Sequence, residues 1–437
     1  MNIDPILKAL AAALAGDGPA VQLIPGDPEW ALPGIELVRD AGSSIQGDPA
    51  ASKEADDGGS DAAGRGDPAA DGAEPAAGGT DAAGAIAVVV ATSGSTGKPK
   101  QTLLSTEALA ASSMATAMAL GGEGQWLLAL PPHYVAGIQV LVRSLFAGTR
   151  PVLMDRSGGF TAEAFTAAAA QMTDTVRYVS LVPTQLQRLL DRATPETLAV
   201  LRRFNAILLG GAPAGPALLD AARDAGVRVV ASYGMSETCG GCVYDGVLLE
   251  GVRVAIRAGR IWLGGDVVAS GYRHAPELTG ASFSVAESIP GSGQDAGPVS
   301  GHGLVRWYKT EDAGELSADG KLTVTGRIDD VIITGGLKVS ANLVAERLKS
   351  LDDIRDAFVL GLPDREWGQR VAAAVVGICP PEKLQRDAAE VLDPWAVPKT
   401  ILFVPEIPML PTGKPDRLAL KQMLDKELNR GHSRSMD

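Results

Sequence analysis

The sequence Thr92-Ser-Gly-Ser-Thr-Gly-Lys-Pro-Lys100 follows the valine-rich run Ile86 to Ala91, which predicts a buried strand. The loop can turn backbone N–H groups, hydroxyls and ammonium groups towards one anion. Its two glycines are separated by two residues, whereas a Walker loop needs four and then Lys-Ser/Thr. Pro99 also biases Lys98 away from helical geometry. The loop therefore predicts a phosphate site of another kind, with a plain flexible turn as the alternative.

Length and composition indicate a globular protein with room for more than one domain, because 46% of the 437 residues are hydrophobic. No apolar run approaches the roughly 20 residues of a membrane helix. The N-terminal stretch places Ile6, Leu7, Leu10 and Leu14 at helical spacing, and Asp4 stands where a signal peptide carries positive charge. We therefore expect an amphipathic first helix and a cytoplasmic protein.

About half of the net charge of −13 comes from one segment. Residues 42–84 contain nine acidic and two basic residues among alanine, glycine and proline, with Ile45 as the one large apolar residue. Such a segment cannot bury enough surface to offset its ordering entropy, so it is predicted to be a disordered insertion, either a spacer or a partner-binding segment. The acidic balance argues against nucleic-acid binding.

Strand patterns alternate with helix patterns from residue 100 to 235, which predicts an α/β fold of layered, largely parallel sheets and helices. One predicted helix covers Thr106 to Leu120, with Ser105 or Thr106 as its N-cap. Polar loops at 92–100, 131–137, 210–213 and 233–238 each follow a predicted strand. Ligands gather at the carboxyl ends of parallel strands, so this common placement predicts one site.

The chain has three cysteines, of which Cys239 and Cys242 have the C-x-x-C spacing. A zinc ribbon needs a second pair, and the sequence contains none. Free thiols in a tight glycine-rich loop are the prediction.

The loop at 92–100 resembles the phosphate-binding loop of the adenylate-forming superfamily, which includes acyl- and aryl-CoA synthetases. Five further segments resemble that family's motifs in the same order: ASYGMSET (231–238), YKTEDAGEL (308–316), GRIDD (326–330), GGLKVS (335–340) and PTGKPDR (411–417). Two positions depart from the family. Ser236 replaces a threonine and keeps the hydroxyl, and Glu311 replaces a glycine, which leaves the local backbone conformation open.

The resemblance implies ATP, Mg²⁺ and coenzyme A as cofactors or co-substrates, and a small carboxylic acid as the other partner. Glu237 would hold Mg²⁺, Tyr233 would pack on adenine, and Asp312 would bind the ribose hydroxyls. Arg327 would contact ribose or phosphate. The full ATP-binding set that it implies is Thr92, Ser93, Gly94, Ser95, Thr96, Gly97, Lys98, Gly211, Tyr233, Gly234, Ser236, Asp312 and Arg327.

The family also implies two domains: a large N-terminal domain at 1–326 and a small mobile α+β domain at 331–437, joined by a hinge at 327–330 that contains Asp329. Lys414 would activate adenylation, and the implied catalytic group is Lys414, Glu237 and His133. Rotation of the small domain would then bring in the thioester loop with Gly335, Gly336 and Lys338. A homodimer is compatible with the sequence, which does not specify the assembly.

The chemistry explains why cations are needed. Attack of a carboxylate on the α-phosphate of ATP brings two anions together, so catalysis must neutralise and align them. The acid is already ionised at neutral pH, so no general base is required.

The acid is expected to bind near residues 130–148 and Gly210-Gly211. By resemblance His133 would guard the carboxylate, with a packed loop histidine as the alternative. Arg143 stands in an otherwise apolar predicted helix, either as a surface residue or as the partner of a second substrate carboxylate.

Within the superfamily the chain is most similar to the o-succinylbenzoate–CoA ligases of menaquinone biosynthesis. The segment before the phosphate loop is short, and residues 131–148 look like those ligases. Three alternatives stay open: another aryl- or acyl-CoA synthetase, an adenylation enzyme that loads a carrier protein in trans, and a non-catalytic adenylate-binding module.

The role that the resemblance implies for Lys414 can be tested by substitution. Lys414→Ala is expected to slow adenylation by about 10²–10³-fold, because it removes a positive charge that stabilises the transition state. Thioester formation from supplied acyl-AMP should survive. The two half-reactions are measured separately, and an equal loss in both would contradict the assignment.

Overall fold

A computed structural model describes residues 3–25, 33–38, 84–92, 100–290, 294–296, 303–410 and 415–434. The predicted insertion at 42–84 lies outside the described residues except for Gly84. Ser93, Gly94, Ser95, Thr96, Gly97, Lys98 and Lys414 also lie outside them.

The described residues form eleven α-helices. In chain order they are α1 Asp4–Leu14, α2 Thr106–Leu120, α3 Val135–Phe146, α4 Ala162–Ala170, α5 Pro183–Asp191, α6 Pro195–Leu201, α7 Pro216–Asp224, α8 Pro276–Ser282, α9 Ala341–Lys349, α10 Pro381–Val391 and α11 Arg417–Arg434.

The strands of the described residues follow in chain order: β1 Ala20–Ile24, β2 Gly34–Val38, β3 Ile86–Thr92, β4 Lys100–Ser105, β5 Gln125–Leu128, β6 Val152–Leu153, β7 Arg177–Leu181, β8 Ala206–Leu209, β9 Val229–Met235, β10 Gly240–Tyr244, β11 Val247–Leu248, β12 Val252–Arg257, β13 Arg260–Gly265, β14 Gly271–Tyr272, β15 Phe283–Ala286, β16 Gln294–Ala296, β17 Val305–Leu316, β18 Leu322–Arg327, β19 Val331–Thr334, β20 Leu337–Ser340, β21 Ile354–Asp364, β22 Gly368–Gly377 and β23 Thr400–Phe403.

The predicted α/β fold is confirmed, and its parallel strands are concentrated in one sheet. The seven-stranded sheet has the order β11-β10-β9-β8-β7-β5-β6, with β6, β5, β7, β8 and β9 parallel. The five-stranded sheet, β14-β4-β3-β1-β2, has one parallel pair, β1 with β3. The six-stranded sheet around β13 and β17 is antiparallel throughout. The loop at 92–100 therefore joins an antiparallel pair, as does the turn after β9, whereas the loops after β5 and β8 follow strands that are parallel to both neighbours.

Helix α2 shows how local sequence sets the element boundaries. It covers Thr106–Leu120 as predicted, and the Ser105 hydroxyl caps it by accepting a hydrogen bond from Ala108 N at 3.2 Å. The helix ends at Gly121, whose φ of 90° is the left-handed conformation that terminates helices. The N-terminal prediction is also confirmed, because α1 buries Ile6 and Leu10.

A fourth sheet, β20-β19-β22-β21 with β23 beside β22, is built entirely from residues after 330. Helices α9 and α10 cover one face, where Leu348 and Leu384 are buried with Val371. Helix α11 covers the other, with Leu420 and Leu424 buried. Two apolar layers of its own thus surround this sheet.

The cysteines are free thiols, as predicted, but Cys242 does not lie in a loop. It belongs to β10, and Cys239 precedes that strand with a φ of 52°. Burial raises the pKa of the Cys242 thiol to about 12 and raises that of Cys239 further, so both are neutral thiols. In the part of the chain that the structure describes, no three His, Cys, Asp or Glu side chains form a metal-binding group.

None of the helices among the described residues combines the length and the apolar character needed to cross a membrane.

The packing of α3 generates a stability prediction. A Cβ added at Gly137 would lie 2.1 Å from the Pro131 carbonyl oxygen, so the helix approaches that loop too closely for any side chain. Gly137→Ala is expected to lower the free energy of unfolding by about 1–3 kcal/mol, despite the better helix propensity of alanine. Urea denaturation measures it.

Gly280 in α8 is the matched control, because a Cβ there has nothing within 4 Å. Gly280→Ala is expected to be stabilising by about 0.4–1 kcal/mol. Equal effects of the two substitutions would contradict the close approach at Gly137.

Candidate functional site

The ends of the quoted loop are fixed by the β3–β4 hairpin. Thr92 and Lys100 are register partners, and the Thr92 hydroxyl donates a hydrogen bond to the Lys100 carbonyl oxygen at 3.3 Å. The Lys100 ammonium lies 5.3 Å from the centre of the Tyr272 ring. The Lys100 end of the loop therefore lies beside Tyr272.

Glu237 lies on the turn between β9 and β10, in a 3₁₀ turn formed by Ser236–Thr238. The Thr238 hydroxyl fixes this turn, since it accepts a hydrogen bond from Met235 N at 3.1 Å and donates one to Gly240 O at 2.8 Å. The Glu237 residue is only 8% exposed. Its Oε1 accepts a hydrogen bond from the Tyr272 hydroxyl at 2.8 Å.

The same turn depends on Gly234. A Cβ at Gly234 would lie 2.1 Å from the Gly240 carbonyl oxygen, so β9 and β10 can approach only without a side chain there. Ser236 is buried at the start of the 3₁₀ turn. These two predicted site residues therefore shape the backbone that presents Glu237.

Asp312 meets Tyr233 across two sheets. The Tyr233 hydroxyl donates a hydrogen bond to Asp312 Oδ2 at 2.8 Å, and burial together with this carboxylate raises the pKa of Tyr233. Asp312 N in turn donates to the Thr310 hydroxyl at 3.0 Å. Arg327 is the register partner of Asp312 on β18. Three predicted site residues are thus brought together.

Glu311 is part of the extended strand β17, although the resemblance expects a glycine there. Its carboxylate accepts a hydrogen bond from Arg260 Nη1 at 2.9 Å. The replacement therefore leaves the strand that carries Asp312 intact.

Sequence reasoning missed Tyr272 and Tyr308. Tyr272 is hydrogen-bonded to Glu237, and burial and the Glu237 carboxylate raise the pKa values of the Tyr272 and Tyr308 phenols. Phe283 packs against both rings, with centroid distances of 5.4 and 5.0 Å. The signals in the sequence were a Gly-Tyr pair ending a strand pattern at 271–272 and the place of Tyr308 at the start of the motif at 308–316.

The predicted acid-binding residues fall into two places. Gly210 and Gly211 follow β8, and Gly211 adopts a φ of 84°. His133 follows β5 and is buried, with its ring centre 4.2 Å from that of Tyr134. Both lie at the carboxyl ends of parallel strands, as the sequence predicted.

The interpretation of Arg143 as a surface residue is wrong, because Arg143 is only 6% exposed. Its guanidinium lies 5.0 Å from the centre of the Trp126 ring, and burial lowers its pKa while Tyr244 and Cys239 raise it. Among the described residues no carboxylate forms an ion pair with it, and its Nε lacks a hydrogen-bond partner. The helix buries a cation without a matching anion. Arg143 lies about 12 Å further along α3 than the first helical residue.

Gln139 links α3, the helix that carries this cation, to the residue that follows the turn at Glu237. Gln139, one turn before Arg143, donates a hydrogen bond through Nε2 to the Cys239 carbonyl oxygen and another to the Ser112 hydroxyl at 3.3 Å. Gly240 leaves room beside Gln139, since a Cβ there would lie 3.6 Å from the Gln139 Cγ. The side of α3 at Gln139 is therefore polar.

The remaining predicted residues lie after β18. Asp329 belongs to a 3₁₀ turn at Ile328–Asp330. Gly335 and Gly336 form the turn of the β19–β20 hairpin with φ values of 57° and 80°, and Lys338 is exposed on β20. Gly335 N donates to the Trp367 carbonyl oxygen at 2.9 Å, so the turn is fixed against the neighbouring strand connection.

Lys414 lies outside the described residues, but the base of its loop is described. Met409 and Pro415 form an isolated antiparallel bridge, and Asp416 N donates to the Pro408 carbonyl oxygen at 2.8 Å. Asp416 also accepts from Ala419 N at 3.0 Å at the start of α11. The loop base is therefore anchored to a helix.

The donor set fits a magnesium ion shared with a polyphosphate. Mg²⁺ prefers oxygen ligands and is usually held by one or two carboxylates together with phosphate oxygens and waters. Glu237 supplies a carboxylate beside the end of the phosphate-type loop, and one of its oxygens is already oriented by a phenol.

Comparison with known proteins places the chain in a family of enzymes. The family described as AMP-binding enzyme matches residues 29–272, and the AMP-binding enzyme C-terminal domain matches residues 344–414. A probable 2-succinylbenzoate–CoA ligase from Mycobacterium tuberculosis is 43% identical over 345 residues, which cover 77% of this chain and 84% of the relative.

Two solved structures of one protein are also similar. The o-succinylbenzoate CoA synthetase (MenE) from Bacillus subtilis in complex with the acyl-adenylate intermediate OSB-AMP is 28% identical, with a TM-score of 0.64, covering 77% of this chain and 69% of that chain. Its complex with ATP and magnesium ion is 27% identical, with a TM-score of 0.63, covering 77% and 70%.

Proposed function

Because the chain belongs to the AMP-binding enzyme family, we propose that it is an AMP-forming acid–thiol ligase that converts o-succinylbenzoate to o-succinylbenzoyl-CoA through an acyl-adenylate. This is a step of menaquinone biosynthesis. The observation that carries the proposal is the convergence of the phosphate-type hairpin, the buried Glu237 carboxylate and the Asp312–Tyr233 pair. ATP, Mg²⁺ and coenzyme A are the co-substrates and metal of this reaction.

The first half-reaction needs ATP held at both ends. Asp312 is proposed to bind the ribose hydroxyls, with Arg327 beside it, and the hydroxyls and Lys98 of the 92–100 loop to bind the phosphates. Glu237 would hold Mg²⁺, which when bound supplies positive charge that offsets the phosphate oxygens. Lys414 would bring a further cation to the reacting carboxylate and α-phosphate.

The second half-reaction transfers the acyl group to the CoA thiol. We propose that residues 1–326 and 331–437 are separate domains and that 327–330, with Asp329, is the hinge between them. Rotation would replace the Lys414 loop by the Gly335–Gly336 turn and bring Lys338 towards CoA. The anchored loop base and the fixed glycine turn support this proposal, because each can move as part of a rigid body.

The buried Arg143 bears on the choice of acid. A cation that is 6% exposed, without a carboxylate partner among the described residues, is costly unless a ligand supplies the anion. We propose that an elongated dicarboxylate lies along α3, with the carboxylate that is activated near His133 and Gly210 and the other one at Arg143. The polar face at Gln139 supports such a path.

The cytoplasm is the proposed location, since ATP and CoA are available there and free thiols stay reduced. The homodimer stays a prediction.

The proposed function is tested by pyrophosphate release from ATP with o-succinylbenzoate, benzoate or a fatty acid, each with and without CoA. We expect release with o-succinylbenzoate and formation of its CoA thioester when CoA is present. A preference for benzoate or the fatty acid would favour another aryl- or acyl-CoA synthetase. Failure to release pyrophosphate with any acid would contradict an adenylating enzyme.

Arg143→Met tests the second carboxylate. The variant is expected to lower kcat/KM for o-succinylbenzoate by about 10–100-fold, because a hydrogen-bonded charge pair contributes about 1.5–3 kcal/mol. Its thermal midpoint should be equal or higher, because an unpaired buried charge is removed. Benzoate adenylation, measured at high substrate concentration, should change less than threefold.

Arg177→Met is the matched control, since Arg177 is a partly buried arginine at the start of β7 whose pKa is also lowered by burial. It should leave the ratio of the two acids unchanged. An equal loss for both acids in Arg143→Met would show that Arg143 has a structural role instead.

A further inference from the structure

Three sheets meet at the buried carboxylate of Glu237. The five-stranded sheet contributes Tyr272 from β14, the seven-stranded sheet contributes the β9–β10 turn with Glu237, and the six-stranded sheet contributes Tyr308 from β17. All three residues are buried, and Tyr272 is only 2% exposed. Side chains from distant parts of the sequence thus form one buried group.

The direction of the hydrogen bond between Tyr272 and Glu237 is fixed by chemistry. An ionised carboxylate only accepts, so the Tyr272 hydroxyl must donate its single hydrogen to Glu237 Oε1. Tyr308 lies beside this pair, because Phe283 packs against both phenol rings, and burial and the Glu237 carboxylate raise the pKa of Tyr308. The second carboxylate oxygen, Oε2, accepts no hydrogen bond from the residues that the structure describes.

We propose that Tyr308 and Tyr272 are positioning residues that orient the Glu237 carboxylate, so that Oε2 is presented to the metal ion bound with ATP. This inference rests on the proposed function, because it assigns a supporting pair to the carboxylate that holds Mg²⁺. The family resemblance gives neither tyrosine a role, because Tyr272 lies outside the motifs at 231–238 and 308–316 and Tyr308 only begins the second.

Neighbouring contacts stabilise this orientation. Phe283 packs against both phenol rings, and the Lys100 ammonium lies over the Tyr272 ring at 5.3 Å. The Glu237 backbone is fixed as well, because its carbonyl oxygen accepts from Ala269 N at 2.9 Å, two residues before β14. The end of the phosphate-type loop and the carboxylate are therefore positioned by the same tyrosine.

Strand β17 joins this group to the nucleotide end of the site. Tyr308, Thr310 and Asp312 all lie on this strand, whose pairing with β13 shifts register between Lys309 and Ala313. Tyr308 lies near the Glu237 carboxylate and packs against Phe283, and Asp312 accepts from Tyr233. One strand therefore sets the spacing between the carboxylate proposed for the metal and the one proposed for ribose.

The test is Tyr272→Phe, which removes one hydroxyl and keeps the ring. Isothermal titration of the full chain with ATP, in Mg²⁺ and in EDTA, separates binding with the metal from binding without it. We expect MgATP to bind about 10–100-fold more weakly, because loss of a partner that orients a metal ligand typically costs this much. ATP in EDTA should bind within twofold of the unchanged protein. Tyr308→Phe should show a smaller loss of the same kind.

Tyr178→Phe is the matched control, because the Tyr178 hydroxyl is buried and donates to the Gly122 carbonyl oxygen at 3.0 Å, in the seven-stranded sheet. It should leave both titrations unchanged. In a Glu237→Gln background Tyr272→Phe should add less than twofold, since the two residues act through one carboxylate.

Equal losses in Mg²⁺ and EDTA, or full additivity with Glu237→Gln, would overturn the proposal and assign Tyr272 a packing role. Unchanged MgATP binding by Tyr272→Phe would overturn it as well, while leaving the proposed function in place. If the unchanged protein bound ATP equally well with and without Mg²⁺, both the proposed function and this inference would fail.

Discussion

A carboxylate buried where three sheets meet is the constraint on which the rest of this site depends. A buried charge must be hydrogen-bonded, and a turn that exposed Glu237 to apolar surroundings alone would be strongly destabilising. The Thr238 hydroxyl closes the turn, and Tyr272 satisfies one carboxylate oxygen. Lys100 on β4 lies beside that same tyrosine, and Phe283 packs against both Tyr272 and Tyr308 of β17.

The sequence predicted the elements whose information is local. The helix at Thr106–Leu120 carries its own cap and its own terminating glycine, and the strand before Thr92 is a continuous apolar run. The loops after β5 and β8 were also placed correctly. The antiparallel pairing of β3 with β4 could not be predicted, because the strand residues are compatible with either direction and the alternating pattern around them favoured a parallel sheet.

The candidate site was predicted only where a motif marked it. Tyr272 and Glu237 are 35 residues apart, and neither hydropathy nor spacing relates them. Arg143 was harder still, because a single arginine in an apolar helix has the same appearance whether it faces solvent or lies beneath a tryptophan ring. Burial of such a residue is decided by the packing of α3 against the sheet, which is a tertiary property.

The order of strands at the edge of the five-stranded sheet has a practical consequence. Strands β2 and β3 lie on either side of β1, with Val38 opposite Ala20 and Val88 opposite Val21. Their facing ends are therefore separated by two strand spacings, about 9.5 Å. A linker of about four extended residues would cover that distance. The ends of β2 and β3 that flank this part of the chain therefore lie close together in the sheet. A change in the length of the sequence between them does not require either strand end to move. A reporter domain inserted there would therefore leave the pairing of the strands unchanged.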